Sequence, residues 1–189
     1  MKYLQTQGTV VATCRSMEPG LCKTSIDSGV VVDQYGIEFD RHNRPERLSH
    51  RTGQMKPNID RQVSIFAHEV YDELNENTVL MREMKQLMPG RLGENLTVRG
   101  LGDLTGIEKG TRLVIQQEIV LVVVEPMEPC ANLREVHPMI AKLLGKNGRR
   151  GLYCRIAAGH GKRIHVGGTI ALLPASDAVI PDEEVVLQE

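Results

Sequence analysis

Four cysteines, Cys14, Cys22, Cys130 and Cys154, are the residues of this 189-residue chain best suited to nucleophilic or metal chemistry. They show neither CxxC spacing nor the density of a disulfide scaffold, a pattern typical of reduced thiols in a cytosolic protein. Cys130 is the most informative, because it follows a strongly apolar segment and two prolines and precedes a predicted helix. The positive end of a helix lowers the pKa of a thiol, and the thiolate is the form needed for sulfur transfer, nucleophilic attack or ligation of a soft metal. The alternative for Cys130 is a small buried hydrophobic residue.

The other three cysteines carry weaker signals. Cys154 alternates within a predicted strand and is expected in the core, whereas Cys14 follows a strand and Cys22 lies in a turn. Cys14 and Cys22 are open to either burial or exposure, and neither has a partner recognisable by spacing.

A second group of chemically useful residues lies at positions 89–98. Gly90 and Gly93 allow close approach of backbone N–H groups to a ligand, while Glu94 and Asn95 offer a carboxylate and an amide just before a predicted strand. A plain tight turn explains the same residues. The glycines match neither GxxxxGK[ST] nor GxGxxG, the histidines show no HExxH spacing, and no GxSxG elbow is present, so the P-loop, Rossmann, zinc-hydrolase and serine-hydrolase classes are unsupported.

The charge distribution favours a small anionic ligand over a polymer. The net charge is −1 and only 3% of residues are aromatic, which disfavours nucleic-acid binding. Positive charge is instead concentrated between Asp40 and Arg61, in Arg41, His42, Arg44, Arg47, His50, Arg51 and Lys56. This stretch is either a solvated surface loop or a cover for an anionic ligand.

The elements that must position these residues are mostly short strands. Apolar, β-branched runs separated by glycines predict a mainly β, barrel- or sandwich-like fold with a few short α-helices. The strands are predicted at residues 9–13, 30–32, 62–66, 96–98, 112–115, 119–124 and 169–173. One helical region, 67–88, is expected to break at residues 75–77; the second, 132–144, carries His137-Pro138, which delays its start.

The chain is expected to form one domain over residues 1–180, followed by an acidic tail at 181–189. No secretory signal and no apolar run long enough to span a membrane is present, so a soluble, cytoplasmic protein without a membrane partner is expected.

Together these stretches resemble the MOSC family, the domain named after the C-terminal part of molybdenum-cofactor sulfurases, in its small stand-alone bacterial form. The specific parts are the Gly-Glu-Asn-Leu sequence at residues 93–96 and the Pro-Cys pair ending at Cys130. Supporting parts, in the correct order, are the opening strand at 8–13, the turn at 35–40, the strand entry at 60–64, the glycine-arginine segment at 148–151 and the final strand after Gly168.

The resemblance implies a barrel-like fold and binding of the anionic, pterin-based molybdenum cofactor (molybdopterin). In this family the cysteine matching Cys130 either carries sulfur as a persulfide or ligates molybdenum. Residues matching Arg61, Gly93, Glu94 and Asn95 would line the same pocket, with Lys23 as a less certain addition.

Two departures from the family pattern are visible. The usual Gly-Asp reads Phe39-Asp40 here, and a second Gly-Asp reads Gly167-Gly168. Pyridoxal phosphate enters only as a family association, because the desulfurase domain of full-length sulfurases has no counterpart in this sequence. We therefore expect the chain to obtain sulfur from a desulfurase partner rather than from free cysteine.

Three functions remain open at this point. The chain either binds molybdenum cofactor, for sulfur transfer or for a reductive reaction with a redox partner, or relays sulfur on Cys130 without metal, or serves as a non-catalytic binding or assembly module. Convergence of Cys130, Arg61 and Asn95 on one pocket would favour the first two.

Overall fold

The computed structural model describes residues 6–49, 52–145 and 149–175. The predicted tail at 181–189 lies outside these residues. In chain order the described strands are β1 (Gln7–Arg15), β2 (Thr24–Ser25), β3 (Val30–Asp33), β4 (Gly36–Ile37), β5 (Glu46–Leu48), β6 (Met55–Pro57), β7 (Val63–Ala67), β8 (Leu96–Arg99), β9 (Arg112–Ile115), β10 (Ile119–Pro126), β11 (Leu152–Ala158), β12 (Arg163–Ile164) and β13 (Thr169–Leu173). The helices are α1 (His68–Glu76), α2 (Thr78–Glu83), a 3₁₀-helix (Ala131–Glu135) and α3 (Ile140–Leu144).

Seven of these strands close into a barrel, which confirms the predicted mainly β fold. Their order is β13-β9-β10-β11-β7-β8-β1, and a further pairing of β13 with β1 closes the ring. All neighbours in the ring are antiparallel except β7 and β8. A parallel pair needs a long crossover, and the chain provides it through α1, α2 and the glycine turn at residues 88–94. This crossover delivers Glu94 and Asn95 to the start of β8.

The barrel is filled by the alternate apolar residues of its strands. Val10, Val98, Leu113, Leu121 and Ile170 are fully buried, and β10 alternates between buried and half-buried positions over six residues. Period-two alternation is typical of a strand with one buried face, and these strands coincide with the β-branched apolar runs from which they were predicted. β3, β4 and β12 form a small separate sheet, and β5 pairs with β6 as a hairpin.

The helices break where the sequence predicts, although α2 ends at Glu83 and not at residue 88. The first helical region breaks at Asn77, whose side chain accepts a hydrogen bond from the Leu80 N–H at 3.0 Å and so begins α2. In the second region, the 3₁₀-helix stops before His137-Pro138 and α3 begins only at Ile140. The predicted helix at 132–144 is therefore divided, because the residue before a proline avoids helical backbone angles.

The two departures from the family pattern lie at turns with left-handed backbone angles. Phe39 has φ 59° in the place where a glycine is usual, and the Arg15 guanidinium lies 5.0 Å from the centre of its ring. At the other turn, a Cβ on Gly168 would lie 2.6 Å from Oε1 of Gln116, and this oxygen accepts a hydrogen bond from the His165 N–H at 2.7 Å. The Gln116 amide thus fills space and supplies an acceptor beside a turn without a carboxylate.

Candidate functional site

The strand registers place a row of polar residues on one face of the barrel wall. Glu125 pairs with Tyr153, and Tyr153 pairs with Ser64. Ser64 lies beside Asn95, whose N–H donates to the Ser64 carbonyl at 2.9 Å, and Asn95 lies beside Cys14, whose N–H donates to the Asn95 carbonyl at 2.7 Å. Directly paired residues on adjacent strands point to the same face, so these five side chains form one row across the sheet.

Asn95 forms the central cross-link of this row. Its Oδ1 accepts hydrogen bonds from the N–H and the hydroxyl of Ser64 at 3.1 and 2.9 Å. Its Nδ2 donates to the Cys14 carbonyl at 3.3 Å and to Oδ2 of Asp40 at 3.1 Å. The amide is buried and uses both donors and two acceptor positions inside the protein. Asn95 therefore holds β1, β7 and the Asp40 turn together.

Lys23 and Asp40 form a buried ion pair next to Asn95. Lys23 Nζ lies 2.8 Å from Asp40 Oδ2, and the two side chains are 4% and 2% exposed. Asp40 also accepts hydrogen bonds from the Ser16 N–H, the His42 N–H and His42 Nδ1. Burial by itself would raise the pKa of Asp40, but the His42 hydrogen bond and the Lys23 charge hold that pKa well below its usual range. The charge of Lys23 is thus already balanced within the protein.

The glycine turn before β8 packs Glu94 against the same region. Glu94 is fully buried, and its Oε1 accepts hydrogen bonds from the Tyr71 hydroxyl, the Gly90 N–H and the Thr97 hydroxyl at 2.9, 2.7 and 2.8 Å. Among the described residues, its Oε2 has no hydrogen-bond partner. Gly93 has φ 89°, and a Cβ there would lie 2.8 Å from the Leu21 side chain, so this position requires glycine. We call Lys23, Asp40, Ser64, Glu94 and Asn95 the buried network.

Arg61 lies at the opposite end of the row. Its Nε is 2.5 Å from Oε1 of Glu125, and its guanidinium carbon is 4.8 Å from the centre of the Tyr153 ring. The Arg61 side chain is 39% exposed and that of Glu125 is 41% exposed. Of the two basic residues that the resemblance assigns to the pocket, Arg61 is the one that presents its charge to solvent.

Cys130 is the exposed cysteine, five residues beyond Glu125. It precedes the 3₁₀-helix in an extended conformation, with φ −111° and ψ 164°, and its carbonyl accepts the Leu133 N–H at 3.2 Å. Cys22 is half-buried with its Sγ 3.5 Å from the Arg91 carbonyl. We call Arg61, Glu125, Tyr153 and Cys130 the exposed end of the site.

The remaining cysteines are buried thiols. Cys14 lies within β1, which extends to Arg15, and not after the strand as the sequence suggested. Burial and the nearby Glu94 carboxylate raise the pKa of Cys14 to about 12, and burial also raises the pKa of Cys154. Both thiols stay protonated at neutral pH and pack as small apolar residues, as predicted for Cys154.

The predicted site residues therefore fall into two groups. The first group is Gly93, Glu94, Asn95 and Lys23, which lie in or beside the buried network. The second is Arg61 and Cys130 at the exposed end, of which Arg61 is connected to the network through the row. No hydrogen bond or ion pair within the described ranges connects Cys130 with Arg61 or Asn95. Because an extended chain spans at most about 3.5 Å per residue, the Cα atoms of Cys130 and Glu125 lie within about 17 Å of each other.

The basic stretch between Asp40 and Arg61 contains the β5–β6 hairpin. His50 and Arg51 lie outside the described residues. In the part of the stretch that the structure describes, Arg41 and Arg44 donate to backbone carbonyls and form no ion pair with a carboxylate. Their positive charge is therefore not neutralised by a neighbouring acid.

These positions can be set beside known proteins. A family model described as the MOSC domain matches residues 40–171. The chain belongs to the MOSC domain family. The matched segment includes Arg61, Gly93, Glu94, Asn95 and Cys130, and it begins after Lys23.

Solved structures share the fold. YuaD from Bacillus subtilis superposes with a TM-score of 0.71 at 21% identity, covering 89% of this chain and 96% of that one. YiiM from Geobacillus stearothermophilus gives 0.63 at 19% identity, covering 93% and 80%, and YiiM from Escherichia coli gives 0.58 at 18% identity, covering 89% and 69%. A comparison with curated proteins gave no match.

Within residues 6–49, 52–145 and 149–175, no group of three or more His, Cys, Asp or Glu side chains is arranged to hold a metal ion. In the same ranges, no helix is long and apolar enough to cross a membrane.

Sequence reasoning did not identify Asp40, Ser64 or Tyr153 as parts of the site. Asp40 was noted only as the second residue of an altered turn, although its carboxylate has five hydrogen-bonding or ionic contacts. The one available signal was the polar Ser64 in an otherwise apolar strand, because a buried hydroxyl needs a hydrogen-bond partner.

Proposed function

We propose that this MOSC-domain protein binds the molybdenum cofactor at the exposed end of the site, with Cys130 as the thiolate that contacts the metal. The observation that carries the proposal is the exposure of Cys130, while Cys14 and Cys154 are buried and Cys22 is half-buried beside a carbonyl. The thiol singled out by the family motif is thus the one that a ligand can reach.

The residues present fit such a cofactor in two respects. The cofactor carries soft dithiolene sulfurs of its own, so a single protein thiolate suffices where a bare ion would require several ligands. It is also anionic, and Arg61 offers an exposed guanidinium already oriented by Glu125 and the Tyr153 ring. Lys23 does not fit the role that the resemblance suggests, because its ammonium group is directed to Asp40.

The residues of the chain would divide the work as follows. Cys130 supplies a thiolate, Arg61 binds an anionic group, and Asn95 holds β7 and β1 in the register that supports Arg61. When bound, the cofactor supplies the molybdenum chemistry, either as the acceptor of a sulfur atom or as the centre of a reductive reaction. A desulfurase or a redox protein is the corresponding partner.

The test is metal and pterin analysis of protein purified from a host that makes the cofactor. We expect molybdenum and pterin to copurify with the wild type and with Cys22→Ala, and to be lost from Cys130→Ala. Equal retention by Cys130→Ala and the wild type would exclude Cys130 as a ligand. Cys22→Ala is the matched control because it removes a half-buried thiol that does not belong to the exposed end of the site.

A metal-free sulfur relay is the second candidate, favoured by the same exposed thiol. The Cys130 thiolate would attack the terminal sulfur of a persulfide on a cysteine desulfurase. The S–S bond of the donor breaks, the donor thiolate leaves, and Cys130 keeps the transferred sulfur. Intact mass after incubation with a desulfurase would show an added sulfur of about 32 Da that a reductant removes. Absence of that species would count against the relay.

The third possibility is a non-catalytic binding or assembly module, which a buried, unreactive Cys130 far from Arg61 and Asn95 would favour. The exposure of Cys130 disfavours that module. If Cys130→Ala retains partner binding and the wild type neither holds molybdenum nor forms a persulfide, the module becomes the better account.

A further inference from the structure

Arg150 is a buried arginine whose charge has no partner in the part of the chain that the structure describes. The residue is 3% exposed, and neither its Nε nor its Nη1 has a hydrogen-bond partner among the described residues. No ion pair involves Arg150 in that part of the chain. Its neighbour Arg149 differs, because it is paired with Glu73, lies 3.8 Å from Asp103 and donates to the Leu143 carbonyl at 3.4 Å.

The backbone at Arg150 is held at the end of the barrel that leads to Cys130. The Gly151 carbonyl accepts the Met127 N–H at 2.7 Å, and Met127 is three residues before Cys130. Gly151 has φ 105°, and a Cβ on it would lie 2.1 Å from the Ile65 carbonyl oxygen. This close contact with β7 permits only glycine and fixes the position from which the Arg150 side chain starts.

An arginine in this state is costly. A guanidinium does not lose its proton in proteins, so Arg150 cannot become neutral in response to burial. A buried charge without a partner is strongly destabilising, and so is a buried donor without an acceptor. The missing component is an anion with several acceptor oxygens, because the guanidinium offers planar, parallel N–H groups.

We propose that Arg150 binds a phosphate-type oxyanion at the Met127–Cys130 end of the barrel. Cys130 is exposed and lies three residues beyond Met127, so the anion would approach Arg150 from this side of the barrel. The oxyanion is either free inorganic phosphate or the phosphate group of a larger ligand. In the second case the inference rests on the proposed function, since the phosphate of a cofactor held by Cys130 would be the group bound.

The primary experiment titrates inorganic phosphate into cofactor-free protein at constant ionic strength and follows the melting temperature and the heat of binding. We expect phosphate to bind and stabilise the wild type and Arg149→Met, and to have no effect on Arg150→Met. In phosphate-free buffer, Arg150→Met should be at least as stable as the wild type, because a long apolar side chain replaces an unpaired charge. Arg149→Met should lose stability there, because it removes existing contacts.

Two results would overturn the proposal. One is an unchanged phosphate response in Arg150→Met. The other is a loss of stability of Arg150→Met in phosphate-free buffer, because that would reveal a partner within the protein. Should Arg150→Met fail to fold, Arg150→Lys provides the same test; it keeps the charge without the planar donors and should bind phosphate about tenfold or more weakly.

The source of the oxyanion is settled by two further titrations. Cofactor-loaded wild type should no longer respond to inorganic phosphate if the cofactor's phosphate occupies the site, and should respond as before if the ligand is free phosphate. Cys130→Ala should keep the phosphate response in either case. Failure of the molybdenum role of Cys130 is therefore distinguishable from failure of the Arg150 site.

Discussion

The row of residues joins the buried network at one end to Arg61 and Glu125 of the exposed end at the other, and the two regions differ most in burial. In the buried network, Asn95 and Asp40 make multiple hydrogen bonds and the Lys23–Asp40 pair is almost fully screened from solvent. At the exposed end, Arg61 is about two-fifths exposed and Cys130 is open to solvent. The residues that the family resemblance assigns to one pocket thus separate into two parts. One part maintains the fold, and a ligand can contact the other.

The largest expected effect comes from breaking the buried ion pair. Asp40→Asn removes the carboxylate that lies 2.8 Å from the buried Lys23 ammonium, and we expect a loss of about 3–5 kcal/mol in the free energy of unfolding, measured by urea denaturation. The double variant Lys23→Met/Asp40→Asn should recover most of that loss. If the single variant is as stable as the wild type, the network does not maintain the fold.

Removing the central cross-link should cost somewhat less. Asn95→Leu leaves the Ser64 N–H, the Cys14 carbonyl and one Asp40 contact unsatisfied, so we expect a loss of about 2–3 kcal/mol in the same assay. Asn95→Asp keeps the acceptor oxygen but places a second carboxylate beside Asp40, and it should also be destabilised. A fully stable Asn95→Leu would mean that Asn95 serves the ligand rather than the fold.

The pH dependence of stability should show the contribution of Asp40. Its pKa is lowered in the folded state, so its contribution is complete above the unfolded pKa, near 4, and is lost as the pH falls further toward the folded value. Between pH 7 and pH 2.5, the unfolding free energy of the wild type should therefore fall more steeply than that of Lys23→Met/Asp40→Asn. Parallel curves would contradict an ionised Asp40 in the folded protein.

Arg61 should matter little for stability. Arg61→Met keeps an aliphatic stem over Tyr153 but removes a partly exposed ion pair, and we expect a change of about 1 kcal/mol or less. The same variant should retain less molybdenum than the wild type. A large loss of stability would place Arg61 with the buried network and remove the distinction between the two ends.

The smallest effect on stability is expected at Cys130. Cys130→Ala truncates an exposed side chain and should change the unfolding free energy by no more than about 0.5 kcal/mol. Denaturant titration of this variant checks the value. A change of several kcal/mol would show that Cys130 packs inside the folded protein.

The β-branched apolar runs predicted the mainly β fold well: six of the seven ranges given for strands lie in the barrel, and the range 30–32 forms β3 of the small sheet. The seventh barrel strand, β11, contains Cys154, which was also predicted to lie in a strand. The two ends of the site were less predictable. The contacts of Asp40 reach Ser16, Lys23 and Asn95, which are far apart in sequence, so no local spacing could reveal them. Likewise, the resemblance assigned Arg61, and less certainly Lys23, to the pocket, and only burial distinguishes the neutralised Lys23 from the exposed Arg61.

Cys130, unlike Asp40, could be identified from its position in the sequence. Its position after the two prolines was visible in the sequence, and the helix that follows proved to be a short 3₁₀ turn rather than the longer helix expected. The prediction that Cys130 is the reactive thiol is therefore supported by its exposure and no longer by the N-terminus of a long helix. Arg150 lay within a recognised glycine-arginine segment, but only its burial without a partner distinguishes it from Arg149.

The most direct test of the central claim is the rate at which iodoacetamide alkylates each cysteine, followed by mass spectrometry with and without bound cofactor. In cofactor-free protein, we predict that Cys130 reacts fastest and that Cys14 and Cys154 remain unmodified. With cofactor bound, Cys130 should be protected while the rate at Cys22 stays the same. Equal alkylation of Cys130 in cofactor-bound and cofactor-free protein would contradict the claim that Cys130 contacts the cofactor.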